Sequence, residues 1–247
     1  MPGATADSQF ALVLAAAGHI SMTSSVYLPA LMNANIRLAD VHIEQQPIEC
    51  LVEHARIPIA FKVERILTVT IPQSGFGGIH LHEMTVEPAW VKDYDEIKGE
   101  GPTRWLKRFD TSHWGLIAAS RAGERIGGAV IAFDTPGIHL LDGRTDVAVL
   151  WDLRVHPDVR SSGVGSALFR AAEHWGRTRH CRSLMVETQN INVPACRFYV
   201  RMGCALQAIN CLAYPELPGE AQLLWCKDLG DSLLQAESSE SWLADCD

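Results

Sequence analysis

The chain has 247 residues, 47% of them hydrophobic and 20% charged, with a formal net charge of −8. That composition belongs to an ordinary globular protein able to bury a real core, and the acidic balance excludes nucleic acid as the main partner, because phosphate binding needs a basic face. The seven cysteines are odd in number and lack CxxC spacing, which speaks against a disulfide framework or a zinc site and for a reducing, cytoplasmic setting.

Residues 1–55 show no clear pattern of elements and are expected to form an N-terminal extension. Within them "FALVLAAAGHI" (10–20) falls short of the roughly 20 apolar residues of a membrane span. No Lys or Arg precedes it to make a signal peptide, so no membrane partner is expected. "IRLADVHIEQQPIECLVEHARIP" (36–58) is compatible with a helix or with irregular chain. From 57 the texture changes. "IPIAFKVERILTVTI" (57–71) is rich in β-branched residues and reads as a strand, followed by a Gly-rich turn and a second strand, "IHLHEMTV". The charged segment "EPAWVKDYDEIKGEGPTRWLKRF" (87–109) reads as one or two short helices broken at Gly101-Pro102.

"HWGLIAASRAGERIGGAVIAF" (113–133) predicts a hairpin with Gly123 in its turn. "VAVLWDLRV" (147–155) predicts a strand, and "SSGVGSALFRAAEHWGRTR" a loop running into a helix with Leu168, Ala172 and Trp175 on one face. Another strand, "RSLMVETQ" (182–189), precedes a short helix in "NVPACRFYVRMGC" (192–204). There Asn192 suits the N-cap, Pro194 the first turn and Gly203 the stop. Two closing strands flank the turn "PELPGE", and the acidic, Ser-rich tail 230–247 is expected to be mobile. Strands alternating with helices, with a hairpin at each end, make an α/β fold with a mixed sheet.

Chemistry concentrates in "RSSGVG" (160–165). The bend sets backbone N–H groups without intrahelical partners at a helix N-terminus, where the macrodipole adds positive charge. Such a site holds phosphate. Gly163 and Gly165 let the backbone approach it, and Arg160 can add a charge-assisted contact. A plain strand-to-helix turn explains the same residues, and the spacing does not fit the dinucleotide fingerprint.

The longer stretch "LRVHPDVRSSGVGSAL" resembles motif A of the GNAT superfamily of acetyl-CoA-dependent N-acetyltransferases at Leu153, Val155, Pro157, Arg160, Gly163 and Gly165. "NVPACRFYVRMGC" is similar to the superfamily's later segment at Asn192, Ala195, Phe198, Tyr199 and Gly203, with Cys204 departing from the usual aromatic. "LWDLRV" and "VETQNINVPACRFY" are similar, more narrowly, to the streptothricin acetyltransferases. The resemblance covers roughly residues 57–228, which gives a GNAT domain over 56–229.

The resemblance implies a mostly antiparallel sheet in which the strand of Leu153 and Val155 splays from "LMVETQ" and pairs with pantetheine amides. It implies that Arg160, Ser161, Ser162, Gly163, Val164, Gly165 and Ser166 wrap the pyrophosphate of acetyl-CoA. Asn192 and the helix after it, including Cys196, line the far side of the coenzyme arm. No metal is implied. Direct transfer needs a group that takes a proton from an ammonium and one that protonates or hydrogen-bonds the leaving thiolate.

Tyr199 matches the second role, and its spacing places it on one helix face with Cys196; a half-buried core tyrosine is the alternative. Asp152 is a carboxylate inside an apolar strand, and a buried carboxylate marks function or a fixed ion pair. It is the first candidate base, with Glu187 the second. An ion pair between Asp152 and Arg154 is not expected, the Arg154 side chain being placed on the other face of the strand. Asp93, Asp95, Glu96 and Asp110 are expected to line the acceptor site and favour a cation. Trp90, Trp105 and Trp114 offer cation–π contacts there, or core packing for at least two of them. His80 and His82 share a strand face without a third metal ligand, and His156 reads as a turn residue.

The partner that follows is a small-molecule amine, cationic like an antibiotic or a polyamine. A protein lysine or N-terminus, or a non-catalytic acyl-CoA sensor, are the alternatives. A homodimer is one allowed assembly.

Overall fold

The computed structural model describes residues 37–97 and 99–230. The apolar stretch 10–20 and the tail beyond 230 lie outside the described residues. In chain order the elements are β1 (His42–Gln46), α1 (Leu51–His54), β2 (Phe61–Thr70), β3 (His80–Lys92), α2 (Pro102–Arg108), β4 (Gly115–Arg121), β5 (Glu124–Phe133), β6 (Val147–Val155), α3 (Val164–Arg177), β7 (Ser183–Gln189), α4 (Val193–Arg201), β8 (Ala205–Asn210) and β9 (Gln222–Asp228).

Seven strands form one sheet in the order β1-β4-β5-β6-β7-β9-β8, while β2 and β3 make a separate ribbon. Neighbours in the sheet run antiparallel except β6 and β7, which are parallel and joined across α3. This is the mixed, mostly antiparallel sheet that the motifs imply.

Both faces of the central strands are covered, which is why "GLIAA" and "IGGAVIAF" are almost continuously apolar rather than alternating. On one face α3 and α4 pack Leu168, Phe169, Ala172, Trp175 and Tyr199 against Ile117, Ala129, Ile131 and Leu150. On the other, Leu51 of α1 and Trp105 of α2 pack with Leu116, Val130, Ala132 and Val149. The hairpin turn between β4 and β5 has positive φ at both Ala122 and Gly123, as a tight primed turn requires.

Two expectations change. The segment 37–55 is no separate extension: β1 pairs with β4 from His42↔Ser120 to Gln46↔Leu116, and Leu51 and His54 are fully buried. Its polar edge strand "HIEQQ" lacks the apolar alternation by which strands are recognised. Residues 87–92 are strand rather than helix, because Trp90, Val91 and Lys92 pair with Val63, Lys62 and Phe61. The helix after Gly101-Pro102 forms as expected.

Close packing of α3 on β4 gives a direct stability test. A Cβ at Gly115 would lie 2.5 Å from Cε2 of the buried Trp175 ring. Overpacking of this kind costs about 1–3 kcal/mol, so Gly115→Ala should lower the urea midpoint accordingly. An unchanged midpoint would show that the ring can yield.

Candidate active site

β6 and β7 stay paired only from Val147↔Ser183 to Leu150↔Val186. Beyond that they splay, and the cause lies in β6. Against β5, Leu150 pairs with Ile131 and Asp152 with Val130, so Trp151 is an extra residue in the ladder. A bulge bends its strand and adds twist. It also shifts the side-chain alternation by one. Leu150, Leu153 and Val155 pack on the α3 face, Trp151 packs on the α1–α2 face, and Asp152 and Arg154 follow Trp151 there.

The splay opens a cleft of about 720 Å³, lined by the diverging ends of both strands, the turn after β6 and one side of α4. Leu153, Val155, Arg160, Ser161, Gly163, Gly165, Ser166, Asn192 and Tyr199 all line it, as does Asp152. The turn has positive φ at Ser161 (66°) and Gly163 (94°), a backbone arrangement that gathers N–H groups around an anion. Gly163 is the N-cap of α3 and no side chain caps the helix. Asn192 caps α4, accepting from the Ala195 N–H at 3.2 Å.

Three residues implied for the coenzyme do not line the cleft. Ser162 turns back, its hydroxyl donating to the Val159 carbonyl at 2.7 Å. Val164 is fully buried, packed toward Gly127 of β5. Cys196 faces the sheet, its Sγ 3.4 Å from Thr188 Oγ1, and burial raises its thiol pKa. Tyr199 and Cys196 thus open onto different surroundings despite their spacing. Arg160 directs three of its donors at protein carbonyls, those of Val155, Ala60 and Pro58, each at 3.1 Å. Two of a guanidinium's five N–H groups remain for a phosphate.

At the chemical end, Asp152 and Arg154 form the ion pair that was not expected, Nε to Oδ2 at 2.8 Å. Residues two apart in a strand share a face, so their side chains meet. Arg154 also holds Asp95 through two bonds of 2.6 and 2.8 Å and donates to the Ile57 carbonyl at 3.1 Å. Burial pushes the Asp152 carboxyl up, but the Arg154 charge and the adjacent His54 outweigh it and hold it below the usual range. His54 Nε2 lies 3.7 Å from Asp152 Oδ1, in a space opened by Gly128, where any Cβ would lie 2.5 Å from the ring.

Glu187 stands differently. The cleft is lined by Asp95, Glu100, Asp152, Glu187 and Glu220. Asp95 and Asp152 share Arg154, Glu100 meets Arg108 at 2.9 Å, and Glu220 meets Lys92 at 2.7 Å. Glu187 has no cationic partner among the described residues. It accepts from Tyr214 Oη at 2.6 Å and Gln222 Nε2 at 2.8 Å. Burial raises its pKa, those two hydrogen bonds moderate the rise, and the charge of Glu100 adds to it. Tyr199, packed against Phe169 and Phe198, is buried enough that its pKa rises, and its phenol stays protonated.

The acceptor wall expected from Asp93, Asp95, Glu96 and Asp110 is therefore not assembled as such. Asp95 lines the cleft, whereas Asp93 accepts from the Asp95 N–H and Asp110 from the Ser112 N–H. Trp105 and Trp114 are core residues and Trp90 is 41% exposed on the ribbon. His80 and His82 stack at 6.1 Å on the same ribbon, with no group of metal-ligand type around them among the described residues. Sequence reasoning missed Tyr94, Gln189 and Tyr214. Gln189 Nε2 donates to Tyr214 Oη at 2.9 Å, and Tyr94 Oη donates to Gln189 Oε1. An aromatic and an acid within a Pro-rich loop, "YPELPGE", were the available signal.

The acetyltransferase (GNAT) family model matches residues 79–204. Streptothricin acetyltransferase A of Bacillus subtilis is 36% identical over 80 residues, 32% of this chain and 46% of that protein. The aminoglycoside N(6')-acetyltransferase type 1 of Klebsiella aerogenes is 34% identical over 101 residues, 40% of this chain and 65% of that protein. The chain thus spans about half to two thirds of the length of these relatives. A Bacillus anthracis protein crystallised with acetyl coenzyme A has the same fold, with a TM-score of 0.59 at 22% identity over 76% of this chain and 99% of that one. Among the described residues no helix is long and apolar enough to cross a membrane.

Proposed function

The chain belongs to the acetyltransferase (GNAT) family, and from that premise we propose that it transfers an acetyl group from acetyl-CoA to a primary amine of a small cationic molecule. The observation that carries this reading is the splay itself: one cleft joins an uncapped helix N-terminus to a carboxylate with no cationic partner among the described residues. The first suits the pyrophosphate of the donor, the second an ammonium. The names of the relatives support an antibiotic as acceptor, streptothricin or an aminoglycoside. The crystallised fold neighbour supports acetyl-CoA as donor.

In this reading the donor's pantetheine arm lies along Leu153 and Val155, and its pyrophosphate meets the turn of Arg160 to Ser166. Asn192 and α4 border the arm. Glu187 takes the proton from the ammonium, and a raised pKa brings a carboxylate closer to that task. The neutral amine attacks the thioester carbonyl, the C–S bond breaks, the new amide nitrogen gives up its extra proton, and the thiolate leaves toward Tyr199 and takes up a proton to become the free thiol. A phenol that stays protonated is a hydrogen-bond donor to that thiolate. Asp152, held ionised by Arg154, is a poorer base than Glu187 and serves the architecture of the cleft.

The test is thiol release from acetyl-CoA against a panel of amines that includes streptothricin, aminoglycosides and polyamines. Turnover with a small amine is expected. Silence with every amine, beside clear thermal stabilisation by acetyl-CoA, would favour a coenzyme sensor instead. Tyr199→Phe should lower kcat about tenfold or more with the acetyl-CoA Kd nearly unchanged, and a normal rate would remove Tyr199 from the mechanism.

A further inference from the structure

The Arg154 guanidinium is only 1% exposed, yet it gathers three chain segments. It lies on β6, donates to the Ile57 carbonyl ahead of β2, and grips Asp95 with both terminal nitrogens. Its Nε edge is fixed in turn by Asp152. A fork-to-fork contact of this kind sets orientation as well as distance. Asp95 is the one member of the group that reaches solvent, its side chain being 32% exposed in the cleft.

The residue beside Asp95 is Tyr94, whose phenol donates to Gln189. Gln189 donates to Tyr214, and Tyr214 donates to Glu187. A continuous path therefore runs from β6, through the Arg154–Asp95 staple, to the Glu187 carboxylate. We propose that Asp95 is a positioning residue: clamped by Arg154, it sets the acceptor wall so that Tyr94, Gln189 and Tyr214 hold Glu187 in place for the incoming amine. This rests on the acetyl-transfer reading above. It differs from the expectation that Asp95 attracts a cationic acceptor by its charge, since here Asp95 acts by the geometry that its two bonds to Arg154 impose.

Asp95→Asn leaves the Asp152–Arg154 pair intact and removes the charged half of the staple. It should lower kcat/KM for the amine about tenfold, with the loss falling on kcat because the displaced group is the base. The acetyl-CoA Kd by calorimetry should stay within about twofold. Tyr94→Phe breaks the path one link further on and should lower kcat/KM similarly. Because the two changes interrupt one path, the double variant should exceed the larger single effect by little, the mark of coupled residues.

Amide exchange supplies a readout independent of turnover. Residues 93–97 should exchange about tenfold faster in Asp95→Asn, with β6 and α3 unchanged, as expected of a local opening. Unaltered exchange in 93–97, or multiplicative losses of kcat/KM in the double variant, would overturn the proposal while leaving acetyl transfer standing. A wild-type protein silent toward every amine, with faster exchange in the variant, would instead retire the acetyl-transfer reading and leave the staple in place.

Discussion

Glu187→Gln should lower kcat by about 10²- to 10⁴-fold, the usual contribution of a general base, with little change in acetyl-CoA affinity. Glutamine keeps the size of the side chain and can still accept from Tyr214 through its amide oxygen, so a fold defect is a weak explanation for the loss. The pH dependence carries the sharper information. A carboxylate must be ionised to accept the ammonium proton, and burial raises the Glu187 pKa. The acid limb of kcat/KM should therefore fall above the ordinary carboxylate range, activity being lost as pH drops through the raised pKa. In Glu187→Gln that limb should vanish. If instead the rate and the limb persist, the base lies elsewhere, and Asp152, whose pKa moves the opposite way, would have to be reconsidered.

Gly163→Glu should weaken acetyl-CoA binding by at least about 100-fold, and three effects act together there. Its φ of 94° is costly for any residue with a Cβ. The added side chain enters open space at the mouth of the turn, where a Cβ meets nothing within 4 Å. Its carboxylate would sit at the uncapped N-terminus of α3, occupying the N–H groups that an incoming phosphate needs and repelling that phosphate. An anion at a helix N-terminus is itself favourable, so it offsets part of the backbone strain in the free protein. Binding should thus be lost with the fold retained, which calorimetry and thermal melting separate. A Kd within about threefold of wild type would mean that the coenzyme does not use this turn.

How much of this could be read from the chain depended on whether a signal was local. Asn192, Pro194 and Gly203 act within one helix and its ends, and the helix lies where they put it. The turn at Gly163 and the hairpin at Gly123 are likewise set by neighbouring residues. The strand "HIEQQ" was invisible because its partner is 78 positions away at Ser120 and its exposed side chains carry no apolar pattern. "EPAWVK" looked helical by charge and became strand through pairing with β2.

The site divides in the same way. One side of the cleft comes from two contiguous motifs, the turn after β6 and the start of α4, whereas the opposite wall draws Tyr94, Asp95, Gln189 and Tyr214 from three separate loops and strand ends. Nothing short of the folded sheet brings them together. The unexpected Asp152–Arg154 pair was nevertheless legible in principle, because residues two apart on a strand always share a face.

The extra residue at Trp151 has one more consequence. Beyond it, alternate positions of a single strand do two different things: 153 and 155 line the cleft from the α3 face, while 152 and 154 hold the wall opposite. Loss of one residue ahead of Asp152 would absorb the bulge and leave both sets on their present faces, but it would take away the bend that parts β6 from β7 and opens the cleft.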